Sequence, residues 1–341
     1  MTVRCAVLGL GRLGYHHAKN LATHQIGGAQ LVSVVDPMEG RAEQFAKQFG
    51  IEHWTKNPDE VFEDPHIDAV IIVTPTSTHA DMIQRAARNG KAIFVEKPLT
   101  QSLEEADEII QTIKQYNVIC QVGFMRRFDP AYAEAKRRIE AGDIGKPIYF
   151  KGITRDAGSP PAEFIKHSGR VFLDVSIHDY DIARYLMGAE ITSVSAHGRV
   201  LLHPFMEEFK DVDQAITYVH FDSGAAGDIE ASRNSPYGHD IRTEIIGTEG
   251  SLFIGTLRNQ NVTLLNSKGS TYEIIPDFQT RFNDAYRLEL VHFIECVQNN
   301  QIPKVTEMDG KVNLKIAIAA TESFDSGKTV HIKGECLEKS Y

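Results

Sequence analysis

The first third of the chain alternates short runs of Val, Ile and Ala with stretches of helical periodicity, from Val3 to about Gly123. This alternation is typical of βαβ units, in which parallel strands are covered by helices on both faces. We therefore predict a doubly wound parallel sheet in an N-terminal domain over residues 1–124. The expected strands are Val3–Leu8, Ala29–Val35, Ala69–Val73, Ala92–Val95 and Val118–Val122.

The pattern changes after about residue 130. One helix is expected over Pro130–Ala141, and longer alternating stretches such as Ala215–Phe221 and Thr271–Ile275 follow, separated by turn residues. Alternation of this kind favours strands with one buried face. We predict a C-terminal α+β domain over residues 125–341, with a large, mostly antiparallel open sheet. The open face of this sheet needs a partner, which is either helices, near Tyr286–Val297 and Gly310–Ser323, or a second subunit. The C-terminal helix is also able to pack back on the first domain.

The bulk composition narrows the class of protein. A length of 341 residues favours about two domains, and 42% hydrophobic with 24% charged residues is typical of globular chains. A formal net charge of -10 disfavours a nucleic acid as partner, because backbone phosphates need a cationic surface. No apolar run approaches the roughly 20 residues of a membrane span. We expect a cytoplasmic protein without membrane or nucleic-acid partners.

The four cysteines indicate neither disulfides nor a metal. They are widely spaced and form no C-x-x-C pattern, and they lie mostly in apolar segments: Cys5, Cys120, Cys296 and Cys336. We expect buried thiols and no metal site.

A G-x-G-x-x-G motif follows the first predicted strand and opens a helix, as Gly9-Leu10-Gly11-Arg12-Leu13-Gly14. The first glycine allows a tight turn, the second lets backbone approach a pyrophosphate, and the third lets the helix pack on the strand. The helix N-terminus then offers N–H groups to the phosphates. In this position the motif predicts a Rossmann dinucleotide site rather than a plain glycine turn.

Asp36, at the end of the second strand, is placed to hydrogen-bond the adenosine ribose. Its charge would repel a 2′-phosphate, and Pro37 and Met38 supply no adjacent cation, so we expect NAD rather than NADP. Two points remain open: Asp36 is also placed to cap the helix after Gly40, and Arg41 is the residue that could weaken the preference for NAD.

Two more strand ends carry candidate cofactor residues. After the strand Ala69–Val73 comes a hydroxyl-rich loop, Thr74-Pro75-Thr76-Ser77-Thr78-His79, where doubly wound sheets bind ligands. Thr78 is equally placed to cap the following helix. After the strand Ala92–Val95 comes Glu96-Lys97-Pro98, and Pro98 biases Lys97 toward an extended backbone that aims its ammonium. Such a lysine, near nicotinamide and partly desolvated, is suited to proton exchange.

A polar constellation lies in the second domain, within Asp174-Val175-Ser176-Ile177-His178-Asp179-Tyr180-Asp181. If one helix runs through it, Asp174, His178 and Asp181 share a face, and the acids can orient and charge the imidazole. An imidazole suits removal of a hydroxyl proton near neutral pH. The plain alternative is a solvated helix face with an i,i+4 pair.

Taken in order, Gly9–Gly14, Glu96-Lys97-Pro98 and Asp174-x-x-x-His178-x-x-Asp181 resemble the glucose-fructose oxidoreductase and inositol dehydrogenase (Gfo/Idh/MocA) family over essentially the whole chain. The resemblance implies that Lys97, Asp174 and His178 are catalytic and that the bond before Pro98 is cis. It also implies a cofactor site formed by Gly9, Gly11, Arg12, Leu13, Gly14, Asp36, Thr74, Pro75, Thr76, His79, Glu96, Lys97 and Met125.

Two segments resemble bacterial inositol dehydrogenases more closely: residues 123–129, Gly-Phe-Met-Arg-Arg-Phe-Asp, and residues 235–240, Ser-Pro-Tyr-Gly-His-Asp. That resemblance implies that Met125 lies near nicotinamide and that a polyol is held by Lys97, Arg127, Asp156, Asp174, His178 and Tyr237. The stretch 154–158, Thr-Arg-Asp-Ala-Gly, is more similar to enzymes that act on scyllo-inositol than to those for myo-inositol.

The expected reaction is therefore NAD-dependent oxidation of scyllo-inositol to 2-keto-inositol with hydride transfer to nicotinamide C4. Myo-inositol is a second candidate substrate. The same machinery would suit an aldose or another sugar alcohol. A different class, a non-catalytic dinucleotide-sensing regulator, is disfavoured because a sensor does not need Lys97, Asp174 and His178. We expect a homo-oligomer formed through the C-terminal sheet.

Overall fold

The structure is a computed structural model that describes residues 1–332. The chain packs as two compact units. Unit 1 comprises Met1–Phe128 and Asp284–Leu314, and unit 2 comprises Asp129–Asn283 and the described residues from Lys315 onward. The sequence predicted a boundary between residues 124 and 125, with NAD binding before it and substrate binding and oligomerisation after it. That functional division stays a prediction.

Unit 1 alternates strands and helices in the predicted manner. Its elements are β1 (Val3–Leu8), α1 (Arg12–Ala22), β2 (Ala29–Val35), α2 (Arg41–Phe49), β3 (His53–Thr55), α3 (Asp59–Phe62), β4 (Ala69–Ile72), α4 (His79–Arg88), β5 (Ala92–Glu96), α5 (Leu103–Tyr116) and β6 (Cys120–Gly123). All six strands pair in parallel, in the order β3-β2-β1-β4-β5-β6. This order reverses direction at β1 and β4, where doubly wound sheets bind ligands. The Rossmann prediction is confirmed.

Unit 2 is built around a larger, mixed sheet. Its elements are α6 (Pro130–Glu140), β7 (Pro147–Arg155), α7 (Ala162–Ile165), α8 (Arg170–Asp174), α9 (Ile177–Met187), β8 (Ile191–Arg199), β9 (Gln214–Phe221), β10 (Ala226–Ser232), β11 (Asp240–Gly247), β12 (Ser251–Ile254), β13 (Leu264–Asn266), β14 (Gly269–Thr271) and α10 (Phe278–Arg281). The chain continues with α11 (Asn283–Asn299), α12 (Glu307–Ser326) and β15 (Val330–His331). Helix α11 belongs to unit 1 apart from its first residue.

The sheet of unit 2 has seven strands in the order β12-β11-β7-β10-β9-β8-β15. Only β7 and β10 run parallel, so the prediction of a mostly antiparallel sheet is confirmed. Strand β9 alternates buried with exposed residues along most of its length, as expected for a sheet with one accessible face.

One predicted strand is wrong. Thr271–Ile275 is not a strand of this sheet, because Thr271 ends the β13–β14 hairpin and Ile274 makes only an isolated bridge with Arg258. Cys5, Cys120 and Cys296 are buried free thiols, and Cys336 lies outside the described residues. None of the helices within residues 1–332 has the length and apolar character needed to cross a membrane.

Candidate active site

The glycine turn after β1 requires glycine at two of its three positions. Gly9 has a φ of +89°, and a Cβ there would lie 2.6 Å from the Val73 carbonyl oxygen. A Cβ at Gly14 would lie 1.9 Å from the Gly9 carbonyl oxygen, so α1 packs directly on the turn. A Cβ at Gly11 would meet nothing within 4 Å. The N-terminus of α1 is therefore open to a pyrophosphate at Gly11, and this geometry fits a dinucleotide.

Asp36 is linked to the same turn. It is 2% exposed, and its carboxylate accepts the N–H of Leu10 at 2.8 Å and that of Met38 at 2.9 Å. Arg41 Nη1 lies 3.1 Å from Asp36 Oδ2, so the cation that could have attracted a 2′-phosphate already faces an acid. Asp36 does not cap α2, whose N-cap is Gly40. The longer of the two Arg41 contacts, 3.4 Å to Asp36 Oδ1, is the one that a ribose hydroxyl would replace.

The hydroxyl-rich loop after β4 forms a 3-10 turn over Thr76–Thr78 before α4. Thr78 Oγ1 lies 2.8 Å from the Pro75 carbonyl oxygen and 2.7 Å from Thr74 Oγ1, and it makes no side-chain cap to α4. These contacts stabilise the turn. The imidazole of His79 is buried rather than directed to the loop surface, with 1% of the residue exposed.

The bond between Lys97 and Pro98 is cis, as the family resemblance implied. The Glu96 carboxylate before it is buried, accepts the Lys97 backbone N–H at 3.2 Å, and lies 2.9 Å from His17 Nε2. It also packs against Gly123, where a Cβ would come within 3.0 Å of the carboxylate. Glu96 is thus positioned to support the backbone of Lys97.

A second acid lies beside this pair. The ligand atoms of His17, Glu96 and Glu289 all lie within 4.8 Å of one another. Glu289, on α11, is 0% exposed, and neither of its carboxyl oxygens has a hydrogen-bond partner among the described residues. Burial, reinforced by the charge of Glu96, raises the pKa of Glu289 well above its ordinary value. Burial without a hydrogen-bond partner in the described part of the chain favours the neutral form of Glu289.

The turn after β6 carries two predicted ligand residues. Met125 and Arg127 lie in a 3-10 turn over Met125–Phe128 and are 3% and 8% exposed. Arg127 Nη2 lies 2.9 Å from Asp309 Oδ1, and Arg127 Nη1 donates to the Lys304 carbonyl oxygen at 3.1 Å. The Arg127 guanidinium is therefore fixed within unit 1, and its contact with substrate stays a prediction.

The expectation of a single helix through Asp174 and His178 is wrong. Asp174 is the last residue of α8, and His178 is the second residue of α9. The break occurs because the Val171 carbonyl oxygen accepts the N–H groups of both Val175 and Ser176, at 3.0 and 3.1 Å. The i,i+4 spacing therefore does not place the two side chains on one helix face.

A buried guanidinium organises the acids of unit 2 instead. Arg233 has a 0% exposed side chain, and its Nη2 lies 2.9 Å from Asp174 Oδ2. Its Nη1 lies 4.0 Å from Asp156 Oδ2, and His239 Nδ1 lies 3.4 Å from Asp156 Oδ1. A buried cation needs nearby opposite charge. Arg233 therefore holds the Asp174 carboxylate and lies at the limit of an ion pair with Asp156, and both carboxylates remain partly exposed.

Tyr237 belongs to a different polar group. Its hydroxyl donates to Asp240 at 2.8 Å and accepts from Arg155 Nη1 at 3.1 Å. Arg155 is paired with Glu230 at 2.7 Å. Tyr237 is 42% exposed, and its role toward a polyol stays a prediction.

The sequence-based site missed Arg233, His239, His17 and Glu289. Arg233 directly follows β10, and His239 lies in the segment already noted for its resemblance, so their positions carried a usable signal. His17 and Glu289 lie on helices without any motif, and only the packing brings them to Glu96.

Two family models match the chain. "Oxidoreductase family, NAD-binding Rossmann fold" matches residues 3–124, and "Oxidoreductase family, C-terminal alpha/beta domain" matches residues 136–332. The chain belongs to the Gfo/Idh/MocA oxidoreductase family. Its first domain is an NAD-binding Rossmann fold, as the glycine turn and Asp36 predicted.

Individual members of the Gfo/Idh/MocA family are similar over nearly their whole length. The scyllo-inositol 2-dehydrogenase (NAD(+)) of Bacillus subtilis is 70% identical over 97% of this chain and 96% of that protein. The myo-inositol 2-dehydrogenase of Thermotoga maritima is 38% identical over 97% and 99%. A crystal structure of scyllo-inositol dehydrogenase from Lactobacillus casei with bound cofactor NAD(H) and scyllo-inositol has a TM-score of 0.92 at 33% identity, covering 97% and 99%.

Proposed function

We propose that this Gfo/Idh/MocA oxidoreductase catalyses NAD-dependent oxidation of scyllo-inositol to 2-keto-inositol, with hydride transfer to nicotinamide C4, and that it also accepts myo-inositol. The observation that carries the proposal is the 70% identity, over 97% of the chain, to a scyllo-inositol 2-dehydrogenase. The Lactobacillus casei enzyme with NAD(H) and scyllo-inositol bound supports it.

We assign the proton chemistry to Lys97, Asp174 and His178. Neutral His178 takes the hydroxyl proton, Asp174 orients His178 and stabilises the imidazolium that forms, and Lys97 polarises the oxygen. NAD, when bound, supplies the acceptor for the hydride that leaves the same carbon. The assignment is supported by the anchored backbone of Lys97 and by the contact of Asp174 with the buried Arg233.

Binding is assigned to the remaining predicted residues. The glycine turn and Asp36 hold the dinucleotide, with Arg12, Leu13, Thr74, Pro75, Thr76, His79, Glu96 and Met125 around it. Asp156, Arg127 and Tyr237 hold polyol hydroxyls together with the proton-transfer residues. Acids and guanidinium groups suit a ligand that offers only hydroxyls, since a polar site rejects a ligand that leaves its groups unpaired.

The test is NADH formation with a panel of inositols, aldoses and sugar alcohols. We expect the highest kcat/KM with scyllo-inositol and losses of about 100-fold or more in Lys97→Ala and His178→Ala. Lys114→Ala and His66→Ala, at exposed positions, are the matched controls. Turnover with no inositol contradicts the substrate, and NAD binding without any polyol turnover indicates a sensor. Undiminished turnover in the first two variants contradicts the mechanism.

We also propose a homo-oligomer through the open face of the sheet in unit 2. Ile216 and Tyr218, on β9, are 44% and 39% exposed, although both side chains are largely apolar. Burial of such a face against a second copy removes it from water. Light scattering should give an oligomer for the wild type and smaller species for Ile216→Asp, with Tyr116→Asp as the control. A monomeric wild type contradicts this proposal.

A cytoplasmic location is proposed on the NAD requirement, since this coenzyme belongs to the cell interior. Cell fractionation tests it: recovery outside the cytosolic fraction would contradict it.

A further inference from the structure

We propose that His79 is a positioning residue that ties the cofactor loop after β4 to the loop carrying Lys97. The effect on kcat expected below rests on the proposed function, because His79 would hold Lys97 and the dinucleotide in place for that reaction. In this role the His79 ring acts from behind the cofactor loop and does not need to touch the reacting atoms.

The imidazole of His79 lies between two backbone carbonyl groups. His79 Nδ1 is 2.9 Å from the Pro98 oxygen, and His79 Nε2 is 3.0 Å from the Thr74 oxygen. Both distances are within the ordinary range of hydrogen bonds. Thr74 follows β4 and begins the predicted cofactor loop, while Pro98 directly follows Lys97. One ring therefore joins the two segments that we assign to cofactor and chemistry.

The segment around Lys97 is held at both ends by buried side chains. Glu96 accepts the backbone N–H of Lys97 at 3.2 Å, and His79 contacts the carbonyl oxygen of Pro98. Glu96 is 6% exposed and His79 is 1% exposed, so water does not compete effectively for either contact. With its backbone fixed on both sides, Lys97 has only side-chain rotations left to place its ammonium.

The two contacts constrain the protonation of the ring. A carbonyl oxygen only accepts hydrogen bonds, whereas a neutral imidazole has one N–H and one lone pair. Each neutral tautomer donates to only one of these two oxygens, so both contacts are hydrogen bonds only when the ring is doubly protonated. Burial lowers the pKa of His79, and hydrogen bonding to the backbone at Thr74, Pro98 and Leu99 and the charge of Glu96 oppose that effect. The ring therefore donates at least one hydrogen bond to these two segments in every protonation state.

Two variants separate the hydrogen bonds from the volume of the ring. His79→Phe keeps a planar ring and removes both donors, and His79→Gln keeps a donating amide. We expect kcat to fall about 10- to 100-fold in His79→Phe, because small misplacements of reacting groups have effects of this size. The Kd for NAD should rise about tenfold, because the released loop after β4 must be ordered when NAD binds. His79→Gln should recover part of both losses, whereas His66→Gln, at an exposed position, should change neither.

Nuclear magnetic resonance of protein labelled with ¹⁵N-histidine gives a readout independent of any substrate. In the wild type at neutral pH we expect an exchange-protected ring N–H signal that disappears in a folded His79→Gln. Absence of such a signal, or an unchanged kcat and Kd in a folded His79→Phe, would overturn the proposal. If the wild-type protein oxidises no inositol, the proposed function fails. The Kd for NAD and the ring N–H signal then still test the role of His79.

Discussion

Glu289 allows a direct test of the buried cluster that it forms with His17 and Glu96. Its carboxyl group is 0% exposed, has no hydrogen-bond partner among the described residues, and lies beside Glu96. Burial and the charge of Glu96 both raise the pKa of Glu289, so the folded chain holds this proton at a pH where the unfolded chain has lost it. The contribution of Glu289 to stability is then fully present below the unfolded pKa and is lost as the pH rises toward the folded pKa.

The size of the effect follows from this linkage. Between the unfolded pKa of about 4.3 and the raised folded value, each pH unit changes the folding equilibrium constant by a factor of about ten. Above the unfolded pKa, the wild type therefore loses about 1.4 kcal/mol per pH unit relative to a variant that stays neutral, until the pH reaches the folded pKa. Glu289→Gln is such a variant, because its amide is of similar size and carries no charge at any pH.

Urea unfolding at fixed protein concentration, repeated from pH 4.5 to 8, measures the difference in free energy of unfolding. We expect Glu289→Gln to gain stability over the wild type as the pH rises. Glu134→Gln is the control, since hydrogen bonds from Arg137 and Arg138 lower the pKa of Glu134 to about 2, so its difference from the wild type should change little over this pH range. Two parallel wild-type and Glu289→Gln curves would refute the assignment of a buried neutral acid.

Two further predictions concern Asp36 in unit 1 and Arg233 in unit 2. Asp36→Ser should weaken NAD binding about 10- to 100-fold, the value of hydrogen bonds to a charged group, and improve NADP binding through the released Arg41. Addition of Arg41→Ala to Asp36→Ser should abolish the gain in NADP binding. Equal NADP affinities of the single and the double variant would contradict this role of Arg41. Arg233→Met should reduce kcat/KM at least 100-fold in steady-state assays, because Asp174 and Asp156 lose their buried counter-charge. Unaltered kinetics in folded Arg233→Met would contradict that role.

Much of unit 1 was predictable because its strands are buried on both faces and read as continuous apolar runs. The strand that was missed, β3, has three residues at the sheet edge, and two of them, His53 and Trp54, are exposed. Its pattern therefore carries no apolar run. The glycine turn and Asp36 were predictable because backbone conformation and charge restrict those positions to few residue types.

The polar site of unit 2 was less predictable. The residues from Arg170 to Met187 are compatible with one helix, and the break after Asp174 depends on which N–H groups the Val171 carbonyl oxygen accepts. The place of Arg233 directly after β10 was a weak signal, and its importance comes from complete burial beside two acids. That burial leaves no local pattern, because Asp174 and Asp156 are distant from Arg233 along the chain.

The central claim is transfer of hydride from an inositol carbon to NAD. It is tested most directly by incubation of the protein with NAD and scyllo-inositol deuterated at its ring carbons, followed by mass spectrometry of the nicotinamide product. We expect NADH that carries one deuterium at C4, and this product should be strongly reduced in His178→Ala. Absence of NADH, or NADH without deuterium, would contradict the account.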